Sequence, residues 1–133
     1  MKYVYPATFT KEDDGGYSIH FNDLENCFTC ADTLEEGIEM AEDALALVLY
    51  GYEKDGKEIP AASNISDISL HENQFVNYIK ADTMEYRKRY NNKSVKKTLT
   101  IPEWLNEEAV ATGVNFSQVL QEALMQVLNV SRN

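Results

Sequence analysis

The sequence predicts an α+β chain in two parts: an N-terminal sheet carrying one main helix, and a C-terminal strand–helix–helix (β-α-α) dimerisation unit. Three features carry that prediction. Strand-like segments rich in Tyr, Val, Thr and Phe open the chain. A capped stripe of apolar residues in steps of three and four starts at Thr33. One alternating strand and two short helices fill the last forty residues. The 133 residues fit one domain or two very small ones, and 44% hydrophobic with 26% charged residues is the composition of an ordinary soluble globular protein.

Taken in order, Lys2 to Phe9 suits a strand, and Asp13-Asp14-Gly15-Gly16 follows as a turn because Asp and Gly accept the positive φ of tight hairpins. Tyr17, Ile19 and Phe21 alternate with Ser18 and His20 as a half-buried second strand, and Cys27 to Ala31 is a short third one. Thr33-Leu34-Glu35-Glu36 is a capping box. The stripe Leu34, Ile38, Ala41, Leu45, Val48 and Tyr52 then lays one helix face on the sheet, with Gly51 and Gly56 ending the helix. Glu58 to Ser63 reads as loop, and Ile65–Leu70 and Gln74–Ile79 as further strands. Asp82-Thr83-Met84-Glu85 resembles a second capping box, opening a short helix from Thr83 to Tyr90. Asn91-Asn92-Lys93-Ser94 looks like a domain boundary. The expected division is a domain over 1–80, a basic linker with a short helix over 81–94, and a second domain over 95–133.

In the last part, Val95, Lys97, Leu99 and Ile101 alternate with Lys96, Thr98 and Thr100. Pro102 stops this strand and suits the first position of a helix that buries Leu105 and Ala109 and ends at Gly113. Asn115 caps a second helix with the stripe Phe116, Val119, Leu120, Ala123, Leu124, Val127 and Leu128. So small a unit can neither bury its own apolar surface nor pair its only strand. Two copies with antiparallel strands solve both problems, with Leu99, Ile101, Phe116, Leu120 and Leu124 as the dimer core. The paired ribbon turns its polar face outward and fits the DNA major groove.

The net charge of −10 is unevenly spread. Residues 1–80 carry 16 acidic against 5 basic side chains, and residues 81–133 carry 6 against 7. Arg87, Lys88, Arg89, Lys93, Lys96 and Lys97 form a basic stretch without an acid, a candidate for phosphate contact. No apolar run approaches the ~18 residues of a membrane span, so no membrane partner is expected. Met1-Lys2 leads straight into a strand-like segment with no signal core, and two cysteines cannot build a disulfide framework. A cytoplasmic location is the expectation.

Lys97-Thr98-Leu99-Thr100-Ile101-Pro102-Glu103-Trp104-Leu105 and Gly113-Val114-Asn115-Phe116-Ser117-Gln118-Val119-Leu120-Gln121-Glu122-Ala123-Leu124 resemble the ribbon-helix-helix fold as it occurs in HicB-type antitoxins of type II toxin–antitoxin systems. Earlier fragments resemble the same family: Tyr5-Pro6-Ala7 and Phe9, Gly16-Tyr17-Ser18-Ile19, Phe21, Asp23-Leu24, Cys27-Phe28-Thr29, Leu34-Glu35-Glu36, and Pro60 with Ser63. The family pattern has Pro before the Asp-Leu pair and Gly after it, where this chain has Asn22 and Asn26. Those departures touch turns, where Asn tolerates left-handed backbone. The resemblance implies a degenerate (partial) RNase H-like sheet and helix that neutralises a small mRNA-cleaving HicA-like ribonuclease toxin. It also implies a ribbon-helix-helix domain that binds operator DNA and represses its own operon. A homodimer, or a tetramer of dimers with toxin, is the expected assembly, and no cofactor is implied. An acidic domain is a suitable cover for a ribonuclease's positive surface.

On this reading Lys96, Thr98 and Thr100 read bases, with Lys96 meeting guanine or only a phosphate. Asn115, Phe116 and Ser117 at the second helix's N-terminus hold a phosphate through free N–H groups and the Ser117 hydroxyl. Catalysis is not expected. Two-metal nuclease chemistry needs gathered carboxylates with one on the first strand, and Tyr3 to Phe9 holds none. Cys27-Phe28-Thr29-Cys30 is formally a redox or half-zinc motif, but in a strand its thiols point to opposite faces, which makes structural cysteines the expectation and no metal site. Trp104, the only tryptophan, contacts a partner or packs on the neighbouring helix or subunit. The alternative to an antitoxin is a stand-alone ribbon-helix-helix regulator with a ligand-sensing or oligomerising N-terminal domain.

Overall fold

Tyr5, Ala7 and Phe9 alternate on one face of the opening strand, β1 (Lys2–Lys11), and all three are buried. The strand is longer than the sequence predicts, because Thr10 and Lys11 continue the ladder into the hairpin. The computed structural model describes residues 1–131. Gly15, at φ +90°, closes the hairpin turn and leads into β2 (Tyr17–His20), which pairs antiparallel with β1. β3 (Phe28–Ala31) pairs with β2, and β4 (Gln74–Asp82) returns along the other side of β1, giving the order β3-β2-β1-β4, antiparallel throughout. Asn26 stands at φ +57°, so the turn after Asp23-Leu24 is left-handed and Asn fills it.

One face of the sheet is covered by α1 (Leu34–Asp55). Thr33 caps it, its hydroxyl accepting from the Glu36 N–H at 3.2 Å. Gly51 does not end the helix. The end comes at Gly56, whose φ of +66° lets its N–H return to the Tyr52 and Glu53 carbonyls. The buried line is Gly37, Ala41, Leu45 and Leu49, with Ala46 beside it. The expected stripe is rotated slightly off it: Ile38, Val48 and Tyr52 are half-buried and Leu34 is exposed. Gly37 sets the closeness of the packing, since a Cβ there would sit 3.1 Å from the Ile19 Cδ1.

The loop after α1 is tied down by side chains. The Tyr5 hydroxyl donates to the Pro60 carbonyl, and the Asp23 carboxylate accepts from both the N–H (2.9 Å) and the hydroxyl of Ser63. The strand expected over Ile65–Leu70 is instead a 3-10 turn, Ile65–Asp67, begun by the Asn64 carboxamide accepting from the Ser66 N–H. An Asx-type cap outcompetes β pairing in so short a segment.

The expected boundary at residue 80 falls inside β4, and the helix α2 (Thr83–Tyr90) packs on α1. Its cap is the Asp82 carboxylate, accepting from the Met84 N–H at 3.0 Å. The chain divides into two compact units, Met1–Asn91 and a second beginning at Asn92.

The second unit contains α3 (Glu103–Ala111) and α4 (Phe116–Leu128). Pro102 takes the cap position of α3 rather than its first turn, and Gly113, at φ +74°, follows its end. Asn115 caps α4, accepting from the Gln118 N–H at 3.0 Å. Residues 95–101, expected as a strand, form none in the single chain. Leu105 is exposed and Ala109 half-buried, not buried as expected, and no described residue of this unit is buried. Residues 132 and 133 of the expected second domain lie outside the described residues.

Candidate functional site

The C-terminal candidates occupy two places within the second unit. Lys96, Thr98 and Thr100 lie in the exposed segment before α3. Leu99 and Ile101, which alternate with them, are 61% and 46% exposed, an unusual condition for such residues. Phe116 and Leu124 on α4 are likewise about half exposed, and Leu120 is half-buried. The apolar stripe named from the sequence is therefore present as a stripe but has no cover. Trp104 on α3 is 66% exposed.

Asn115 is committed to its cap, which leaves the first N–H groups of α4 aimed past it. No acid stands in the first turn of α4. The Ser117 hydroxyl accepts from the Gln121 carboxamide at 3.0 Å and keeps its own proton to donate. Asn115, Ser117, Gln118, Gln121 and Glu122 line a polar hollow of about 310 Å³, in which the Gln118 carboxamide donates to Glu122 at 3.1 Å.

The basic stretch is split by the structure. Arg87 donates to the Glu53 carboxylate at 2.7 Å and lies over the Tyr50 ring at 5.5 Å, and Lys88 is 3.4 Å from Glu85. Both cations belong to α2's own contacts, while Lys93, Lys96 and Lys97 lie beyond the first unit. The Glu53 carboxylate also accepts from the Tyr3 hydroxyl at 2.7 Å and the Thr83 hydroxyl at 3.0 Å. Burial works against its ionisation, but the hydrogen bonds from Tyr3 and Thr83 and the charges of the N-terminal ammonium and Arg87 outweigh it and hold the carboxyl below its usual range. Burial, then the Glu53 hydrogen bond and charge, pushes the Tyr3 phenol up to about 12. Sequence reading missed Glu53. The signal was there: Gly37, Ala41, Leu45, Leu49 and Glu53 form one line at steps of four, so a carboxylate ends the buried row.

The remaining acids do not assemble into a metal centre: among the described residues, no group of three or more His, Cys, Asp or Glu is placed to hold an ion. Asp23 is engaged by Ser63, and Glu53 by three donors. Cys27 and Cys30 are both free thiols, the first buried and the second exposed. Burial pushes the Cys27 thiol up to about 11, which suppresses the reactive thiolate.

This arrangement defines a two-part protein: a sheet-and-helix unit with a complete core, followed by a helix pair without one. The chain belongs to the HicB-like antitoxin family of bacterial toxin–antitoxin systems, whose pattern it matches over residues 5–123. It is 41% identical over 56 residues to the antitoxin HicB 1 of Photorhabdus laumondii, a match covering 42% of this chain and 36% of that protein. It is 36% identical over 62 residues to the antitoxin HicB of Escherichia coli K12, covering 47% and 45%. These matches span less than half the length of those relatives. A chain of a toxin–antitoxin complex from Streptococcus pneumoniae is similar in structure, with a TM-score of 0.63 and 28% identity over 95% of this chain and 99% of that one.

Proposed function

We propose that this chain binds and neutralises a small HicA-like, mRNA-cleaving ribonuclease toxin through its first unit. A second copy completes the C-terminal unit as a ribbon-helix-helix dimer, which binds operator DNA and represses the chain's own operon. Family membership supports the toxin partner, and the S. pneumoniae neighbour is itself part of such a complex. The observation that carries the DNA half is the alternation at 96–101. Leu99 and Ile101 stand uncovered on one side of an unpaired segment, so the pairing that buries them turns Lys96, Thr98 and Thr100 outward together. The hollow at the start of α4 supplies N–H groups for a backbone phosphate, fixing the register of the ribbon. The domain functions divide accordingly: toxin masking by the sheet unit, DNA reading by the residues after Ser94.

Gel-shift titration with operator and scrambled duplexes tests this. The Thr98→Ala, Thr100→Ala double variant loses two base contacts per subunit at about 1–3 kcal/mol each, so operator affinity falls at least tenfold while scrambled-duplex affinity holds. Lys96→Ala, if its ammonium meets phosphate, lowers affinity for both duplexes and flattens the salt dependence. Unchanged operator affinity in the double variant would remove the ribbon as the reading element.

A further inference from the structure

β4 is an edge strand nine residues long, and one of its sides is open. The Lys11 N–H donates to the Asn73 carbonyl at 2.8 Å and the Thr83 N–H to the Met1 carbonyl at 3.0 Å, at opposite ends of the β1–β4 ladder. With the observed register, the odd-numbered residues of β4 therefore bond to β1. Val76, Tyr78 and Lys80 turn their N–H and C=O groups to the free side. No proline or bulge protects this edge; its charged residues are Lys80 and, at its end, Asp82, whose carboxylate is taken up by the cap of α2. Tyr78 is 51% exposed at its centre.

The α2 end of the edge opens into a groove of about 580 Å³ lined by Glu42, Asp43, Lys80, Tyr86, Arg89 and Tyr90, among others. The Tyr86 and Tyr90 rings lie 4.7 Å apart. Among the described residues, neither Glu42 nor Asp43 forms an ion pair. Carboxylates beside tyrosine faces suit a guanidinium or ammonium group. Lys2, Lys80 and Arg89 in the same lining, where Asp82 is held by the α2 cap and Glu85 by Lys88, disfavour a run of cations and favour one cationic side chain among neutral or acidic neighbours.

We infer that the free edge of β4 and this groove dock an extended segment of the toxin, added as a fifth strand with one Lys or Arg side chain in the groove. The inference rests on the antitoxin reading and names the surface that does the binding. Main-chain hydrogen bonds to Val76, Tyr78 and Lys80 supply affinity, and the groove supplies selectivity for the cation.

The test uses the full chain and a purified HicA-like toxin, with binding followed by calorimetry. Tyr78→Pro removes a free-side donor while leaving every β1–β4 hydrogen bond in place, so the unit stays folded by circular dichroism. Glu42→Lys with Asp43→Lys reverses the groove's carboxylates, and Glu12→Lys with Asp13→Lys makes the same charge change at the hairpin. The expected result is at least tenfold weaker binding for the first two variants and wild-type binding for the third. Wild-type affinity in folded Tyr78→Pro and in the groove variant would overturn the inference and leave the antitoxin reading standing. Equal weakening by the hairpin variant would replace the groove with general charge attraction. Loss of self-association in Tyr78→Pro, with toxin affinity intact, would assign the edge to a second copy. No binding by the wild type would overturn the antitoxin reading and this inference with it.

Discussion

Glu53 is the residue on which α1, β1 and α2 meet, through Tyr3, Thr83 and Arg87. Glu53→Gln keeps the shape but weakens three charge-assisted contacts, an expected loss of about 1–3 kcal/mol in urea unfolding. Its pH dependence has a definite sign. The carboxyl is held below its usual range in the fold, so the unfolded chain takes up protons first and stability falls as acid approaches the folded value. Tyr3 acts in the opposite direction. Its phenol ionises near 10 when unfolded and near 12 when folded, so its contribution is whole below pH 10 and disappears by pH 12. Glu53→Gln should flatten the acid limb of the stability profile, and Tyr3→Phe the alkaline one. At the cysteines, iodoacetamide at neutral pH should modify exposed Cys30 and leave Cys27 unreacted in the folded protein, as read by mass spectrometry.

At the scale of elements, what was legible in the sequence was whatever is written locally. Caps at Thr33 and Asn115, the hairpin at Gly15 and the stripe on α1 are each decided within a few residues. The strand expected over Ile65–Leu70 failed because Asn64 offers the backbone a nearer partner than any sheet edge. Gly51 was misread as a stop because a glycine ends a helix only where the backbone turns left-handed, and that turn is at Gly56. Long-range ties were illegible. Tyr5 with Pro60 and Asp23 with Ser63 are resemblance positions whose hydrogen bonds span 55 and 40 residues. They explain those positions structurally, since the phenol and the carboxylate hold the loop after α1 against the sheet. Glu53's partners were equally hidden, although its place on the buried line was visible.

For the whole molecule, the contrast between the units decides the behaviour in solution. The first has Phe9, Phe21, Leu45 and Leu49 fully buried, and the second buries none of its described residues. Each of Leu99, Ile101, Phe116 and Leu124 gains about 1.5–3 kcal/mol on full burial, less what it already hides, so a cover over this stripe is favourable, and in the proposed function that cover is a second copy. Sedimentation should give a dimer or larger species at micromolar concentration, and Leu99→Asp, which places two carboxylates in that seam, should shift the C-terminal association toward monomer. A monodisperse wild-type monomer would refute the dimer. The most direct test of the central claim is growth of cells induced for a HicA-like toxin, with the full chain co-expressed. Growth should be restored by the wild type and by the Thr98→Ala, Thr100→Ala variant alike, because the proposed function assigns masking to the first unit; continued arrest with soluble wild-type chain present would contradict it.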